Sequence, residues 1–480
     1  LSNNQLSTLP EDLHRLSHLK IIFASNNRFE HLPEALGRCT NLEMIGFKAN
    51  QIKTVTAAAL PLQTRWLILT DNLIETLPAA MGDLHRLQKL ALAGNRLTTL
   101  PESMANCRNL ELVRLSANQL HALPAWLLSL PKLTWLAFAG NPFSHTLVDP
   151  HADVATVANV TLGDIKLAEK LGEGASGVIY RGDWLNQAMI AATGSAQIAV
   201  KLFKGEVTSD GYPADELDCC LTTGDHPSLI KVVAHISQKD QLGLVMELIP
   251  AGFSNLGLPP SLVTCTRDTF KDGSQFRLDE VAKITHQLAD AMAHMHAKQV
   301  SHGDVYAHNI MVNQQMSLLF GDFGAASNLR NLSTAERLAI EAIEVRALGC
   351  LIEDLLAYVD ASAYVSASIS LLYYTQLSAI KAKVWEMERE YQRQLNLLKE
   401  EATTEQRVEN AKTAYESAQS NYQEIIEKIH STELMVREAN SVIPFGNTII
   451  QQKKASLDNA KLFYSYTTIT APYDGWVGKR

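Results

Sequence analysis

Long apolar runs, basic clusters and patterned cysteines are all missing from this sequence of 480 residues. We find no run of about 18 or more apolar residues and no signal peptide, so we expect no membrane span in this chain. The formal net charge of −9, without a long basic run, argues against nucleic acid as a main partner. The few cysteines lack metal-ligand spacing, which favours reduced thiols in a cytosolic protein. They are Cys39, Cys107, Cys219, Cys220, Cys265 and Cys350.

Length and composition describe a folded chain of several domains. With 46% hydrophobic and 19% charged residues, the sequence can bury substantial cores, and its length predicts about two to four domains. Because Leu1 falls inside a repeat motif and no capping coil precedes it, we expect the chain to be a fragment of a longer protein.

Asparagines recur at a nearly constant spacing of 22 or 23 residues over residues 1–145. They are Asn4, Asn27, Asn50, Asn72, Asn95, Asn118 and Asn141, each inside a frame of leucines. This pattern is the leucine-rich repeat, in which each coil adds one short strand and the asparagine amide bonds the backbone of neighbouring coils. Ala57–Ala59 replace the usual Leu-Pro, which predicts a locally irregular coil.

The variable positions beside the leucines should lie on the concave strand face. Their mixed charge and aromatic character are compatible with protein binding, although a merely solvated face explains them equally well. We therefore predict that the repeats bind a protein partner or substrate, or restrain the remainder of the chain. The positions include Glu43, Lys48, Arg65, Thr70, Lys89, Arg114 and Trp135.

Residues 302–324 carry the strongest chemical signal. Residues 302–309 read HGDVYAHN and residues 322–324 read DFG. The intervening segment predicts a hairpin of two strands, residues 310–312 and 318–320. One carboxylate could orient an attacking hydroxyl, while an amide and a second carboxylate hold magnesium against phosphates. Each motif alone is weak, since an aspartate near an asparagine often marks only a turn.

A second motif precedes this segment. Residues 171–180 read LGEGASGVIY, and residues 198–201 read IAVK. The spacing predicts a glycine-rich turn between two strands, whose backbone amides approach phosphate, followed by a strand bearing a lysine. Glu216, on a predicted helix, could keep Lys201 charged and aimed, although a solvated helix carboxylate is the simpler alternative. Residues 242–247 predict a buried strand.

Together these motifs resemble eukaryotic-like protein kinases, and residues 1–358 resemble bacterial leucine-rich-repeat kinases of the serine/threonine type. The resemblance implies binding of ATP and Mg²⁺, with Asp304 as catalytic base, Lys201 and Asn309 as further catalytic residues, and Asn309 and Asp322 as magnesium ligands. Residues 341–358 then resemble the buried helix that crosses the C-terminal lobe, with Glu344 where that family usually has aspartate. The implied nucleotide-binding residues are Gly172, Gly174, Gly177, Ile179, Ala199, Lys201, Glu216, Met246, Glu247 and Ile249.

Three departures from the kinase pattern keep other functions open. Gly303 replaces the arginine beside the base, Tyr306 replaces a phosphate-contacting lysine, and no Ala-Pro-Glu motif follows Gly324. Residues 302–309 also fit small-molecule phosphotransferases of the aminoglycoside and choline kinase type, which share the transfer chemistry. A non-catalytic pseudokinase that recruits partners is a third hypothesis.

The segment after Tyr358 follows a different pattern. Glycine and proline are absent up to Pro444, and apolar residues fall at heptad steps within residues 373–398 and 408–429. This predicts an antiparallel helical hairpin with its turn at residues 401–404 and a possible coiled-coil partner. Residues 466–477 read YTTITAPYDGWV. Residues 365–480 thereby resemble haemolysin-D-type membrane-fusion adaptors, whose family works in the periplasm, whereas the repeat and kinase segments suit the cytoplasm.

The predicted fold class is multidomain: a leucine-rich-repeat solenoid, a bilobal α+β protein-kinase-like domain with an incomplete C-terminal lobe, and a helical hairpin ending in a β-strand. The predicted boundaries are 1–145 for the repeats, 146–160 for a linker, 161–358 for the kinase-like domain, 359–465 for the hairpin and 466–480 for a half-barrel strand. Because kinases and export adaptors act in different compartments, we expect a composite chain with its junction near residues 355–365. A natural fusion is the alternative.

Overall fold

The computed structural model describes residues 1–144, 157–174, 176–204, 211–238, 241–359, 383–384, 387–399, 402–424 and 426–427. The chain divides into two compact units, Leu1–Tyr358 and Val359–Arg480. Within the described ranges, no helix combines the length and the apolar character that a membrane span requires.

Six parallel strands form one face of the repeat region, which comprises residues 1–144. Each coil contributes three strand residues before the chain turns away, and short helices lie on the opposite side. The strands are β1 (Ile21–Phe23), β2 (Met44–Gly46), β3 (Trp66–Ile68), β4 (Lys89–Ala91), β5 (Leu112–Arg114) and β6 (Trp135–Ala137). The short helices are the 3-10 turns Leu13–Arg15, Glu34–Arg38, Ala57–Ala59, Ala79–Asp83, Glu102–Asn106 and Pro142–Ser144, and α1 (Ala125–Leu128).

The regularly spaced asparagines join neighbouring coils, as the sequence predicts. Asn95 is buried, and its Nδ2 donates to the carbonyl oxygens of Leu69 and Leu92, each at 2.9 Å. Its Oδ1 accepts from Ile74 N at 3.0 Å. The short strands leave some buried backbone groups without a strand partner, and each such asparagine side chain hydrogen-bonds to these groups inside the leucine core.

The coil with the alanine substitution has a shorter 3-10 helix than the coils on either side of it. Its 3-10 helix covers three residues, Ala57–Ala59, whereas the preceding coil has a five-residue turn, Glu34–Arg38. Glycine at position 37 allows this turn to pack closely on the preceding coil, because a Cβ at Gly37 would collide with the backbone carbonyl group of Ala58. The predicted irregularity is thus a shorter turn in a continuous solenoid.

A six-stranded sheet forms the sheet lobe, residues 157–249. Ala158–Val160, inside the predicted linker, already pairs with Ala234–Ile236 of this sheet. Alternation along one central strand buries Ile198 and Val200 in the core and leaves Ala199 and Lys201 facing the cleft. The elements are β7 (Ala158–Val160), the 3-10 turn Leu162–Asp164, β8 (Ile165–Glu173), β9 (Gly177–Trp184), α2 (Gln187–Thr193), β10 (Gln197–Phe203), α3 (Pro213–Thr223), β11 (Val232–Gln238) and β12 (Gln241–Glu247), in the sheet order β7-β11-β12-β10-β9-β8.

The helical lobe comprises residues 250–358. Its elements are β13 (Ser254–Asn255), α4 (Leu278–Ala297), β14 (Val300–Ser301), the 3-10 turn Ala307–Asn309, β15 (Ile310–Val312), β16 (Leu318–Phe320), the 3-10 turn Phe323–Ala325, β17 (Ser327–Asn328) and α5 (Thr334–Leu356). The predicted hairpin is confirmed, since β15 and β16 pair in antiparallel register. The last helix starts earlier than its predicted limit, residue 341, because Ser333 and Glu336 form a capping box at its N-terminus.

The repeat region and the helical lobe share one apolar core. Leu329 and Leu332, from the segment before α5, and Ile340 and Ile343 of α5 pack into the cluster formed by the repeat leucines. Arg346 also donates to the carbonyl oxygen of Leu133. The repeats are therefore a wall of the same folded unit as the two lobes.

The second unit is described only in part. Residues 387–399 and 405–424 are helical, and residues 402–404 between them are non-helical, with a bend at Thr403. The rings of Tyr391 and Tyr415, one on each helical segment, stack with centroids 6.1 Å apart. The predicted coiled-coil hairpin stays a prediction, since most of its length lies outside the described residues. The predicted half-barrel strand at residues 466–480 also lies outside them, as does the part of the predicted junction, residues 355–365, that follows residue 359.

Candidate active site

A cavity of about 690 Å³ lies between the sheet lobe and the helical lobe. Its wall includes the glycine-rich loop, the end of β12 and residues that follow β16. It brings together all predicted nucleotide and metal ligands: Gly172, Gly174, Gly177, Ile179, Ala199, Lys201, Glu216, Met246, Glu247, Ile249, Asn309 and Asp322. Asp304 lies just beyond, in a second cavity of about 340 Å³ that shares His308 with the first.

A buried ion pair on the sheet-lobe side lines the larger cavity. Lys201 on β10 contacts the carboxylate of Glu216 on α3, and only 4% of the Glu216 side chain is exposed. Glu216 is therefore a buried, paired residue and not a solvated one. Burial alone would lower the pKa of Lys201, but the carboxylates of Glu216 and Asp322 outweigh burial and raise it. Lys201 thus stays charged at the cavity surface.

The three glycines of the glycine-rich loop differ in their surroundings. Gly177 is required for packing, whereas Gly172 and Gly174 face open space. A Cβ at Gly177 would lie 2.6 Å from the carbonyl oxygen of Leu202, so a side chain there would push β9 off β10. Gly172 and Gly174 have open space where a Cβ would stand. The absence of side chains there leaves room in the cavity beside the loop, although the Gly174 amide itself donates to the carbonyl oxygen of Gly177 at 2.9 Å.

The loop that carries Asp304 is organised by a buried neutral histidine. His302 is fully buried, and burial lowers its pKa. Its Nδ1 accepts from Asp304 N at 3.3 Å, so Nε2 carries the proton and donates to the carbonyl oxygen of Gly321 at 3.0 Å. One side chain thereby fixes the loop of Asp304 against the segment of Asp322.

Asn309 links the predicted base to the predicted metal ligand. Its Nδ2 donates to the backbone oxygen and to Oδ2 of Asp304, both at 2.9 Å. Its carbonyl oxygen accepts from Gly321 N at 3.2 Å, which places Asn309 beside Asp322. Asp322 has a left-handed backbone (φ 62°), and 57% of its side chain is exposed. Its Oδ1 lies 3.7 Å from Lys201 Nζ.

The concave face of the repeats reaches this loop directly. Arg114 of β5 forms an ion pair with Asp304 Oδ1 and donates to the carbonyl oxygen of Gly303 at 2.8 Å. Burial would raise the pKa of Asp304, but the Arg114 guanidinium and further contacts outweigh burial and lower it. Trp135 of β6 stacks on Tyr306 with ring centroids 4.6 Å apart. Concave positions in the described repeats therefore face the chain's own helical lobe.

Gly303 owes its identity to this packing. Its φ is +72°, and a Cβ there would lie 2.5 Å from the carbonyl oxygen of Ala325 and 2.8 Å from that of Leu136. The departure from the arginine of the kinase pattern is therefore steric, because strand β6 occupies the space that a side chain would need. Arg114, from a neighbouring strand, supplies a guanidinium beside Asp304 instead.

Two buried carboxylates accept hydrogen bonds from the backbone of the loop that carries Asp304. Glu344 of α5 accepts from Gly303 N through Oε1 and contacts His296 Nε2 through Oε2, each at 2.6 Å. Burial alone would raise the pKa of Glu344, but the hydrogen bond with His296 outweighs burial and lowers it. Asp268 accepts from Ala307 N at 3.1 Å, and burial raises the pKa of Asp268 to about 7.

The sequence motifs missed several of these supporting residues. Arg114 and Trp135 were predicted only as concave positions that bind a partner or restrain the remainder of the chain, with no contact named, and no pattern marked Asp268 or His296. One feature of the sequence pointed to a residue such as Arg114. Gly303 stands where the kinase pattern has arginine, so another cation was to be expected beside Asp304. The pairing partner could not be read from sequence because it lies 190 residues away.

The described residues contain no cluster of three or more histidines, cysteines, aspartates or glutamates able to hold a metal ion alone. Asn309 and Asp322 nevertheless fit magnesium that arrives with a nucleotide, because Mg²⁺ in such sites takes one or two protein oxygens and completes its shell with phosphates and water. All six cysteines carry free thiols, as predicted.

Comparison with known proteins matches this architecture in two places. Residues 165–354 match the family "Protein tyrosine and serine/threonine kinase", and residues 85–143 match "Leucine rich repeat".

The chain is 28% identical over 180 residues to Aurora/IPL1-related protein kinase 2 of Caenorhabditis elegans, covering 35% of this chain and 52% of the relative. It is 27% identical over 216 residues to putative neurotrophin receptor LTRK 1 of Lymnaea stagnalis (44% and 26%). It is 24% identical over 161 residues to tyrosine-protein kinase Fer of Mus musculus (34% and 17%). The chain thus spans about half or less of the length of these curated relatives. It carries leucine-rich repeats and a protein kinase domain within one folded unit.

Proposed function

We propose that this chain transfers the γ-phosphate of ATP to a hydroxyl group on protein, with serine or threonine as the preferred acceptor. The match to a kinase family supports the transfer chemistry, and its relatives include both serine/threonine and tyrosine kinases. The preference for serine or threonine rests on the resemblance of residues 171–324 to eukaryotic-like serine/threonine kinases.

One observation carries the proposal. The lysine–glutamate pair, the base with its amide partner, and the exposed Asp322 all meet around two adjoining cavities. Phosphoryl transfer asks a protein mainly to position reactants and to neutralise charge. A chain that had lost transfer would not need to keep these charged groups together, which argues against the pseudokinase hypothesis.

Each group has a distinct task in this proposal. Lys201, paired with Glu216, neutralises phosphate charge in the larger cavity. Asp304 stays ionised, orients the acceptor hydroxyl and accepts its proton. Asn309 holds Asp304 in place through its amide and offers its remaining oxygen, with Asp322, to magnesium. When bound, magnesium supplies positive charge that stabilises the negative charge on the transferring phosphoryl group.

The test is transfer of radiolabelled phosphate from Mg·ATP by the full-length chain, since the repeats support the loop of Asp304. Asp322→Ala should abolish transfer and weaken metal-dependent nucleotide binding. Asp304→Ala should keep nucleotide binding while lowering turnover by a factor on the order of a hundred or more. Asp272→Ala, at an exposed position of the helical lobe, is the matched control.

Three outcomes would separate the hypotheses. Incorporation into serine or threonine of a protein substrate supports the proposal. Metal-dependent ATP binding without transfer to any acceptor would favour a pseudokinase. Transfer only to small hydroxyl compounds would favour a small-molecule phosphotransferase.

We also propose a protein partner for the repeats, because leucine-rich repeats are an architecture that presents extended binding surfaces. Since the concave strands β5 and β6 face the helical lobe, such a partner would bind elsewhere on the repeat region. The reaction belongs in the cytosol, where ATP is available.

For residues 365–480 we propose a helical hairpin of the export-adaptor type that is joined to the kinase. This segment has no leucine-rich repeats, and its apolar residues follow heptad spacing. The helical segments 387–399 and 405–424, with a bend at Thr403 between them, support this. Sequencing the transcript across residues 355–365 and measuring the mass of the intact polypeptide would test whether the join is natural. A single full-length product would contradict a composite reading frame.

A further inference from the structure

Two different parts of the chain hold the two carboxylate oxygens of Asp304. Oδ1 pairs with the guanidinium of Arg114 on β5, and only 6% of the Arg114 side chain is exposed. Oδ2 accepts from Nδ2 of Asn309, in the helical lobe, at 2.9 Å. Arg114 also donates to the carbonyl oxygen of Gly303 at 2.8 Å. Because the last torsion of an aspartate side chain is broad unless its oxygens are held, these two donors together fix the orientation of the carboxylate.

The next repeat strand holds the backbone of the same loop. Nε1 of Trp135 on β6 donates to the carbonyl oxygen of Val305 at 3.0 Å. The indole ring stacks on the ring of Tyr306 with 6° between the ring planes, and both residues are buried. Adjacent strands of the repeats thus hold the side chain of Asp304 and the backbone that follows it.

The repeats cannot leave this loop without opening an apolar core. Four aliphatic residues of the helical lobe pack among the repeat leucines, and Ser327 Oγ accepts from Phe138 N at 3.1 Å. Since burial of apolar surface is the dominant favourable contribution to folding, the contact between the repeats and Asp304 belongs permanently to the folded unit and is not a detachable restraint. The four residues are Leu329, Leu332, Ile340 and Ile343.

We propose that Arg114 is a positioning residue of the active site, which fixes the Asp304 carboxylate toward the acceptor hydroxyl, so that the repeats form part of the catalytic centre. The inference deepens the proposed phosphotransferase function and rests on it. In the reaction, the bond from the γ-phosphorus to the bridging oxygen of ADP breaks. A bond from phosphorus to the acceptor oxygen forms, and the hydroxyl proton passes to Asp304.

Asp304 remains accessible to an acceptor. Its side chain is 22% exposed and lines the smaller cavity, of about 340 Å³. A carboxylate oxygen has two lone pairs, so a hydroxyl group can bond to Asp304 while Arg114 and Asn309 stay in place. The contact with Arg114 therefore orients the base without using all of its capacity to accept hydrogen bonds.

The first experiment compares the full-length wild type with Arg114→Gln in transfer of radiolabelled phosphate from Mg·ATP to casein and to the chain itself. We expect kcat to fall by about ten- to hundredfold, since misplacing a reacting group by about 1 Å costs about a hundredfold. The KM for ATP should not change, because Arg114 is not among the described residues that line the nucleotide cavity. Turnover is expressed per nucleotide-binding site, counted by calorimetric titration with a non-hydrolysable ATP analogue, so that unfolded molecules do not contribute.

The second experiment asks whether Arg114 acts through Asp304. It repeats the comparison in the Asp304→Ala background, whose residual transfer the radiolabel detects. Arg114→Gln should change turnover there by less than about twofold, because the group that Arg114 orients is gone. A merely structural role would lower turnover by the same factor in both backgrounds, which would overturn the inference.

A second variant keeps the test decisive if Arg114→Gln folds poorly. Trp135→Phe keeps an aromatic ring on Tyr306 and removes the hydrogen bond to the loop backbone. We expect it to lower turnover severalfold, again only when Asp304 is present. Arg96→Gln is the matched control, since Arg96 is an exposed arginine of the repeats that lines neither cavity, and it should leave turnover unchanged.

A thermal-unfolding cycle of Arg114→Gln, Asp304→Asn and the double variant separates this inference from the proposed function, because it needs no transfer. Coupling of about tenfold or more in the unfolding equilibrium constant supports the hold of Arg114 on Asp304. If the wild type transfers no phosphate, that coupling stands and the proposed catalysis is overturned. Transfer by the wild type with equal or higher turnover in Arg114→Gln would overturn the inference and leave catalysis standing. Additive effects on stability would overturn the inference in either case.

Discussion

Glu344→Gln should destabilise the kinase domain through the loop that carries the base. In the native protein, only 3% of Glu344 is exposed, and its two oxygens contact Gly303 N and His296 Nε2 at 2.6 Å each. The glutamine keeps an oxygen that can accept from Gly303 N. It removes the negative charge that stabilises a protonated His296, which is the interaction the experiment isolates.

The magnitude follows from burial. Removing one partner of a buried ion pair costs about 3–5 kcal/mol, because the other charge is left uncompensated. Since glutamine retains a hydrogen-bond acceptor, we expect a loss of about 3 kcal/mol in the free energy of unfolding. That is a large part of the roughly 5–15 kcal/mol that stabilises a typical domain, and it raises the unfolding equilibrium constant by about a hundredfold.

The effect should depend on pH with a defined sign. Burial would lower the pKa of His296, but Glu344 outweighs burial and raises it above its ordinary value of 6.5. The contribution of His296 is therefore complete below pH 6.5 and is lost as pH rises through its folded pKa. The lowered pKa of Glu344 gives a contribution present above its ordinary value of 4.5 and lost as pH falls. The difference between wild type and variant should peak between these values.

The assay is urea unfolding followed by tryptophan fluorescence, for which the stacking of Trp135 on Tyr306 provides a reporter next to the loop. The control is Glu353→Gln on the same helix, where the side chain is 71% exposed and its ion pair with Arg267 should contribute no more than about 1 kcal/mol. Equal losses in the two variants, or a difference between wild type and Glu344→Gln that does not shrink at alkaline pH, would refute the reasoning.

Three further predictions concern stability, each measured by thermal or urea unfolding. Asn95→Ala should cost about 2–3 kcal/mol, because three buried backbone groups lose their partner; a loss below about 0.5 kcal/mol would contradict the bridging role. Gly303→Ala should cost about 1–3 kcal/mol from its positive φ and the clash at its Cβ, whereas Gly174→Ala, with open space, should cost little. The raised pKa of Asp268, about 7 against 3.8, should make stability fall by an amount on the order of 4 kcal/mol as pH rises from about 4 to about 7. Asp268→Asn should flatten that dependence, and an unchanged pH profile would rule out Asp268 as its source.

Local patterns were enough to predict much of this protein. The 23-residue period predicts the repeat strands and the bridging asparagines because each coil repeats the same contacts with its neighbours. The hairpin 310–320 and the strand bearing Lys201 follow from alternation and from turn residues, which act over a few positions. The pairing of Lys201 with Glu216 could be expected only through the resemblance to kinases, since the two residues lie 15 positions apart in the sequence.

The tertiary structure decided what the repeats face and which side chains surround the loop of Asp304. Arg114 and Trp135 meet the loop of Asp304 because the solenoid packs on the helical lobe, a long-range arrangement that no local period encodes. The same packing explains Gly303, which looks like a lost arginine in the sequence and is a steric requirement in the fold. Sequence by itself determined which chemical groups the chain possesses, and packing across about 190 residues determined which of them act together.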